Sequence, residues 1–157
     1  MNIELLVVGK TDMKEVEALV AMYTKRLNHY VRFAITTIAD VRNTRKLSEA
    51  EQRRMEGEAI LRLINDSDHV MLLDERGVEL RSIEFAELLQ RRMSSGIKRL
   101  VFVIGGPYGF SDALYQRANS SLSLSKMTFS HQIVRAIFAE QLYRAFTILG
   151  NEPYHHE

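Results

Sequence analysis

Leu100-Val101-Phe102-Val103-Ile104 is apolar at every position and runs directly into Gly105-Gly106-Pro107-Tyr108-Gly109-Phe110. A strand with one wet face alternates apolar and polar residues. An unbroken apolar run of this length marks a strand covered on both faces, as in a parallel sheet packed between helices. Such cover comes from strands and helices that alternate along the chain.

The remaining sequence supplies that alternation. Asn2–Val8 reads as a strand. Val16, Leu19, Val20, Tyr23 and Leu27 recur at helical spacing and predict a helix over Lys14–Asn28, with Asp12 and Glu15 as its capping box. Val31–Ile38 is rich in β-branched residues and reads as a strand. Asp40–Leu47 is a polar, mobile surface loop carrying Arg42, Arg45 and Lys46. Ser48 and Glu51 form a capping box for a helix to about Ile64. His69–Leu73 is a short strand ending at Asp74-Glu75-Arg76-Gly77. Ser82 caps a helix through Met93, and Ser111 opens a short helix to about Ala118. Leu122–Ser125 is a last strand. Ser130 caps a long helix over His131–Leu149, which Gly150-Asn151 and Pro153 end. With 157 residues, no repeat and no linker, the expectation is one α/β domain over 1–157 with a mostly parallel sheet.

Composition narrows the function classes. The absence of cysteine excludes disulfides and thiolate metal sites. No apolar run approaches the roughly 20 residues of a membrane span, so no membrane partner is expected. Met1–Val8 lacks a basic leader and reads as the first strand of a cytoplasmic domain. The net charge of +1 does not mark a chain that grips long nucleic acid by phosphates alone. An RNA substrate therefore needs local recognition, recognition shared between subunits, or a larger assembly.

In parallel sheets ligands bind beyond the carboxyl ends of the strands. Three loops qualify: after Leu73, after Ile104, and around Ser125. The Gly-Gly-Pro-Tyr-Gly loop is neither a phosphate-cradling Gly-Lys-Ser/Thr loop nor a dinucleotide fingerprint. It lets backbone approach a ligand, or serves only as a tight turn. Ser125-Lys126-Met127-Thr128-Phe129 offers hydroxyls, amides and a thioether in one loop. His131 and Arg135 share a face of the final helix, whose wide apolar band exceeds one core face and offers a subunit interface. Arg144 is placed for an ion pair with Glu140. Tyr154-His155-His156 forms a polar tail with no third metal ligand at a suitable spacing, so no metal is expected.

Taken together, Gly105–Phe110, Ser121–His131, Arg135, Glu140–Ala145 and Pro153-Tyr154-His155 resemble the ribosomal large subunit methyltransferase H family of the SPOUT superfamily, and Val7-Val8-Gly9-Lys10 fits as well. The resemblance spans the chain. It implies an α/β fold whose mostly parallel sheet, flanked by helices, ends in a C-terminal trefoil knot. It implies S-adenosylmethionine as methyl donor and N3 of pseudouridine 1915 in 23S rRNA as acceptor, on the assembled ribosome, by a homodimer joined through the final helix. Leu73, Gly105, Leu124, Ser125, Lys126, Met127, Thr128 and Phe129 are the implied cofactor contacts. Arg144, Tyr154 and His155 are the expected catalytic group, and His131 and Arg135 are expected to meet the RNA. Ser130 stands where the family pattern has proline. Other readings of the same residues are a SPOUT enzyme acting on another RNA such as a tRNA, or a ribosome-associated module without catalysis.

Overall fold

The computed structural model describes residues 1–156. Its strands are β1 (Asn2–Val8), β2 (Phe33–Ile38), β3 (His69–Glu79), β4 (Arg99–Ile104) and β5 (Ser120–Ser123). All pair in parallel, in the order β2-β1-β4-β3-β5. The helices are α1 (Lys14–Leu27), α2 (Glu49–Leu61), α3 (Ser82–Ser94), α4 (Asp112–Arg117) and α5 (Ile133–Leu149). The α/β class with a parallel sheet, read from the sequence, is what the chain adopts.

The apolar run in β4 divides between two cores. Leu100, Phe102 and Ile104 face α1, α3 and α5, where Phe102 packs against Phe85 and Phe138. Val101 and Val103 face the other side, with Ile60 of α2 and Leu114 of α4. Each such buried side chain contributes on the order of 1.5–3 kcal/mol, which is why Leu100–Ile104 has no polar position to spare. Among the described residues, no helix is long and apolar enough to cross a membrane.

Several boundaries differ from expectation. Asp12 does not cap α1; Met13 stands at the cap, and the Asp12 N–H is donated to Gln132 Oε1 at 2.8 Å. The Ser48–Glu51 capping box is present, but α2 stops at Leu61 rather than Ile64. Strand β3 runs on past Leu73 to Glu79, with an irregularity that sets both Leu73 and Val78 opposite Leu122. Gly77 lies so close to the Ser121–Leu122 backbone that a Cβ there would stand 2.7 Å from it. Strand β5 occupies Ser120–Ser123 rather than Leu122–Ser125, since Ser123 Oγ turns back to donate to the Ser125 carbonyl (2.9 Å). Regular α5 begins at Ile133, two residues beyond His131. Ser130 still serves its entry, accepting the Ile133 N–H on Oγ (3.1 Å) and the Val134 N–H on its carbonyl (3.1 Å).

Candidate active site

The tips of β3, β4 and β5 surround a cleft of about 560 Å³. That volume suits a nucleoside-sized ligand. Its floor comes from Leu73, Ile104 and Leu122, which lie side by side in β3, β4 and β5. One wall is the Gly105–Phe110 loop. Gly109 N–H closes a turn onto the Gly106 carbonyl (3.2 Å), with Pro107 at the turn position that its fixed φ favours. Gly106 packs closely on α2: a Cβ there would stand 2.3 Å from Glu56 Oε2, so the carboxyl would have to shift. The facing wall is the segment after β5, where Ser125 Oγ accepts the Met127 N–H at 2.9 Å and folds the loop over.

Of the residues expected to hold a cofactor, Leu73, Gly105, Leu124, Ser125, Met127, Thr128 and Phe129 all line this cleft. Lys126 is exposed and stands outside its lining. Met127 is 77% exposed and Phe129 40%, so two large apolar side chains face solvent at the mouth. His131 lines the cleft as well.

Arg135 must be corrected. It was expected to face RNA, yet it is 1% exposed. Its guanidinium donates to the carbonyls of Val8 (2.7 Å), Gly9 (2.9 Å) and His131 (2.9 Å) and to Thr11 Oγ1 (3.0 Å). With its donors spent inside the fold, it cannot meet a phosphate. Helical spacing put it on one face with His131, but that face turns inward over the tip of β1.

The Arg144, Tyr154 and His155 group assembles, but away from the cleft. Arg144 pairs with Glu140 (2.5 Å), lies over the Tyr154 ring (4.8 Å) and approaches His155 Nδ1 (3.3 Å). Arginine has no acceptor, so Nδ1 accepts here and the ring hydrogen sits on Nε2. That nitrogen is buried with no partner among the described residues. Burial, with contacts to Tyr23 and Glu140, pushes the Tyr154 hydroxyl above the ordinary phenol range. It stays a neutral hydrogen-bond donor, bonded to Glu140 Oε1 at 3.1 Å. None of the three lines the cleft. Val134 does, and Arg144 lies ten residues further along α5, roughly 15 Å at a rise of 1.5 Å per residue.

The family described as predicted SPOUT methyltransferase matches residues 1–155. The chain belongs to the SPOUT methyltransferase family. It is 58% identical over 156 residues to the ribosomal RNA large subunit methyltransferase H of Christiangramia forsetii, covering 99% of each chain. It is 55% identical to the protein of that name from Flavobacterium psychrophilum and 54% identical to the one from Porphyromonas gingivalis ATCC 33277, over the full length of each. Membership makes the chain a methyltransferase, and a SPOUT methyltransferase draws on a methyl donor.

Set in a SPOUT methyltransferase, three further groups matter that were not among the expected site residues. Asp74 and Tyr115 line the cleft and hydrogen-bond to each other. Burial, then the Asp74 bond, pushes the Tyr115 hydroxyl up to about 12. The strand-end rule pointed at the loop after Leu73 and so at Asp74, but nothing local marks Tyr115 on α4. Glu56 is 3% exposed, with Oε1 bonded to Gln52 Nε2 (3.0 Å) and Oε2 without a partner among the described residues. Burial pushes its carboxyl above the usual range, and Asp40 pushes the same way, against Gln52 and His131. Among the described residues no cluster of His, Asp and Glu could hold a metal ion.

Proposed function

We propose that this chain, as a single domain in the cytoplasm, transfers a methyl group from S-adenosylmethionine to N3 of a pseudouridine in large-subunit ribosomal RNA, position 1915 of 23S rRNA, on the assembled ribosome. The names of its relatives support the RNA class. The cleft supports the donor: its size, its apolar floor and its turn-built walls suit an adenosine carrying an amino-acid arm. Leu73, Gly105 and the Leu124–Phe129 segment would hold it, Lys126 through its backbone alone. The bound donor supplies an electrophilic methyl group, and no metal is needed. The trefoil path that the family resemblance implies for the C-terminal segment belongs to the same proposal.

The observation that carries the reading is the distance between cleft and tail. One chain does not bring Arg144, Tyr154 and His155 to its own cleft, so a second copy must supply them. Val134, Ile137, Gln141, Arg144 and Ile148 are half-exposed and recur every three or four residues along α5, the stripe a packed partner helix needs. In the proposed homodimer each tail faces the partner's cleft. The acceptor nitrogen must be held about 3–3.5 Å from the methyl carbon and lose its proton. Tyr154, kept neutral, orients the base by donating or stacking. Arg144 turns from His155 to the RNA, where it meets phosphate or developing negative charge. His155 Nδ1, released by that move, takes the N3 proton.

The test is methyl transfer to intact ribosomes by Arg144→Ala and His155→Ala chains. Each should lose at least a hundredfold in turnover while binding S-adenosylmethionine normally by calorimetry. Mixing His155→Ala with a Gly106→Asp chain, whose cleft is blocked, should restore activity through hybrid dimers. Wild-type turnover by both single variants, or no recovery on mixing with hybrids verified, would sink the assignment.

A further inference from the structure

The Gly9–Asp12 turn has no part in the chemistry above, yet it is fastened with care. It lies at the carboxyl tip of β1, beside β4 in the sheet. Gln132 accepts the Asp12 N–H (2.8 Å) and donates to the Lys10 carbonyl (3.0 Å). Arg135 donates to the Val8 and Gly9 carbonyls and to Thr11 Oγ1, and its Nε holds the carbonyl of His131 in the cleft wall. Two side chains from the start of α5 thus lock the turn to the wall, more than 120 residues away in sequence.

Within this fixed turn Gly9 is buried and Thr11 half-buried, while Lys10 is exposed. The loop after β2, the neighbouring strand on the far side, carries exposed Arg42, Arg45 and Lys46. Among the described residues none of these four cations takes part in an ion pair. By strand order the loop after β2 and the turn after β1 follow the carboxyl ends of neighbouring parallel strands, the same end of the sheet as the cleft, with Asp12 and Asp40 as the acidic residues of these segments. A lysine on a free loop is a solvated charge. One whose main chain is already immobilised does not pay that ordering cost when a partner arrives.

We propose that Lys10 is a phosphate contact for the RNA substrate, the fixed inner end of a cationic track through Arg42, Arg45 and Lys46. Gln132 and Arg135 are positioning residues that present it, so Arg135 acts on RNA through Lys10 without touching it. This rests on the RNA reading above.

The measurement is ribosome binding in the absence of methyl donor, by filter retention across a salt series, for wild type, Lys10→Ala, Lys10→Arg, Gln132→Ala and the Lys10→Ala/Gln132→Ala double variant. Lys10→Ala should weaken binding about tenfold and lower the log–log salt slope by about one. Lys10→Arg should keep both near wild type. Gln132→Ala should weaken binding only while Lys10 is present, leaving the double variant no weaker than Lys10→Ala. Wild-type affinity and slope in Lys10→Ala, or losses that multiply in the double variant, overturn the proposal alone when wild type binds and methylates ribosomes. A wild-type chain that binds no ribosome overturns the RNA reading with it.

Discussion

Replacing Arg135 by methionine keeps much of the side-chain stem and deletes the guanidinium. Two effects then oppose each other. The cation is costly where it lies: it is 1% exposed, no carboxylate among the described residues forms an ion pair with it, and burial lowers its pKa against the weaker pull of Asp12 and Asp40. Methionine removes that cost. Against this, the Val8 and Gly9 carbonyls lose buried donors at 2.7 and 2.9 Å. Each buried group left unsatisfied costs about 1–3 kcal/mol, or about 2–6 kcal/mol for the pair. Relief of the unpaired charge offsets part of this, leaving a net loss of about 1–4 kcal/mol. For a chain of 157 residues that corresponds to a drop in melting temperature of about 2–16 °C. The assay is urea unfolding at one fixed protomer concentration, since an associating chain has concentration-dependent stability. A lower midpoint at unchanged slope is expected. A stability change within about 0.5 kcal/mol, or a gain, would mean that water reaches both carbonyls and that the guanidinium is not needed to satisfy them.

Gly106→Ala places a methyl group 2.3 Å from Glu56 Oε2; S-adenosylmethionine affinity measured by calorimetry should fall at least tenfold, and adding Glu56→Ala should recover part of it. Glu56→Gln tests a buried carboxyl whose folded pKa lies above its ordinary 4.5. Such a group favours the folded state most below pH 4.5 and loses that contribution as pH rises through the raised value. The glutamine variant should therefore match wild type near pH 4 and exceed it at pH 7 to 8 in thermal melts; equal melts at both ends would refute the burial argument. Ser48→Ala removes the side chain that accepts the Glu51 N–H at 3.1 Å and should cost about 1 kcal/mol in chemical unfolding.

How much was legible in the sequence depends on whether the signal was local. The unbroken apolar run of β4 reported a sheet covered on both faces, because a strand with no polar position has no face to give to water. Helical spacing announced α1, and Ser48 with Glu51 announced the start of α2. The strand-end rule points to the cleft, and two of the segments carrying the family resemblance, Gly105–Phe110 and Ser121–His131, lie around it. Tertiary structure decided the rest, because those contacts join residues far apart in the chain. Asp12 had the residue type of a cap, but a glutamine 120 positions away claimed its N–H. Arg135 had the spacing of a substrate contact, but the tip of β1 needed its donors. Glu56 became a buried carboxyl, with one oxygen unpartnered among the described residues, only when α2 was laid against Gly106. The tail chemistry was visible as residue types, while its separation from the cleft, set by the rigid length of α5, was not. Periodicity fixes which face of an element turns inward; only the packed chain fixes what that face meets.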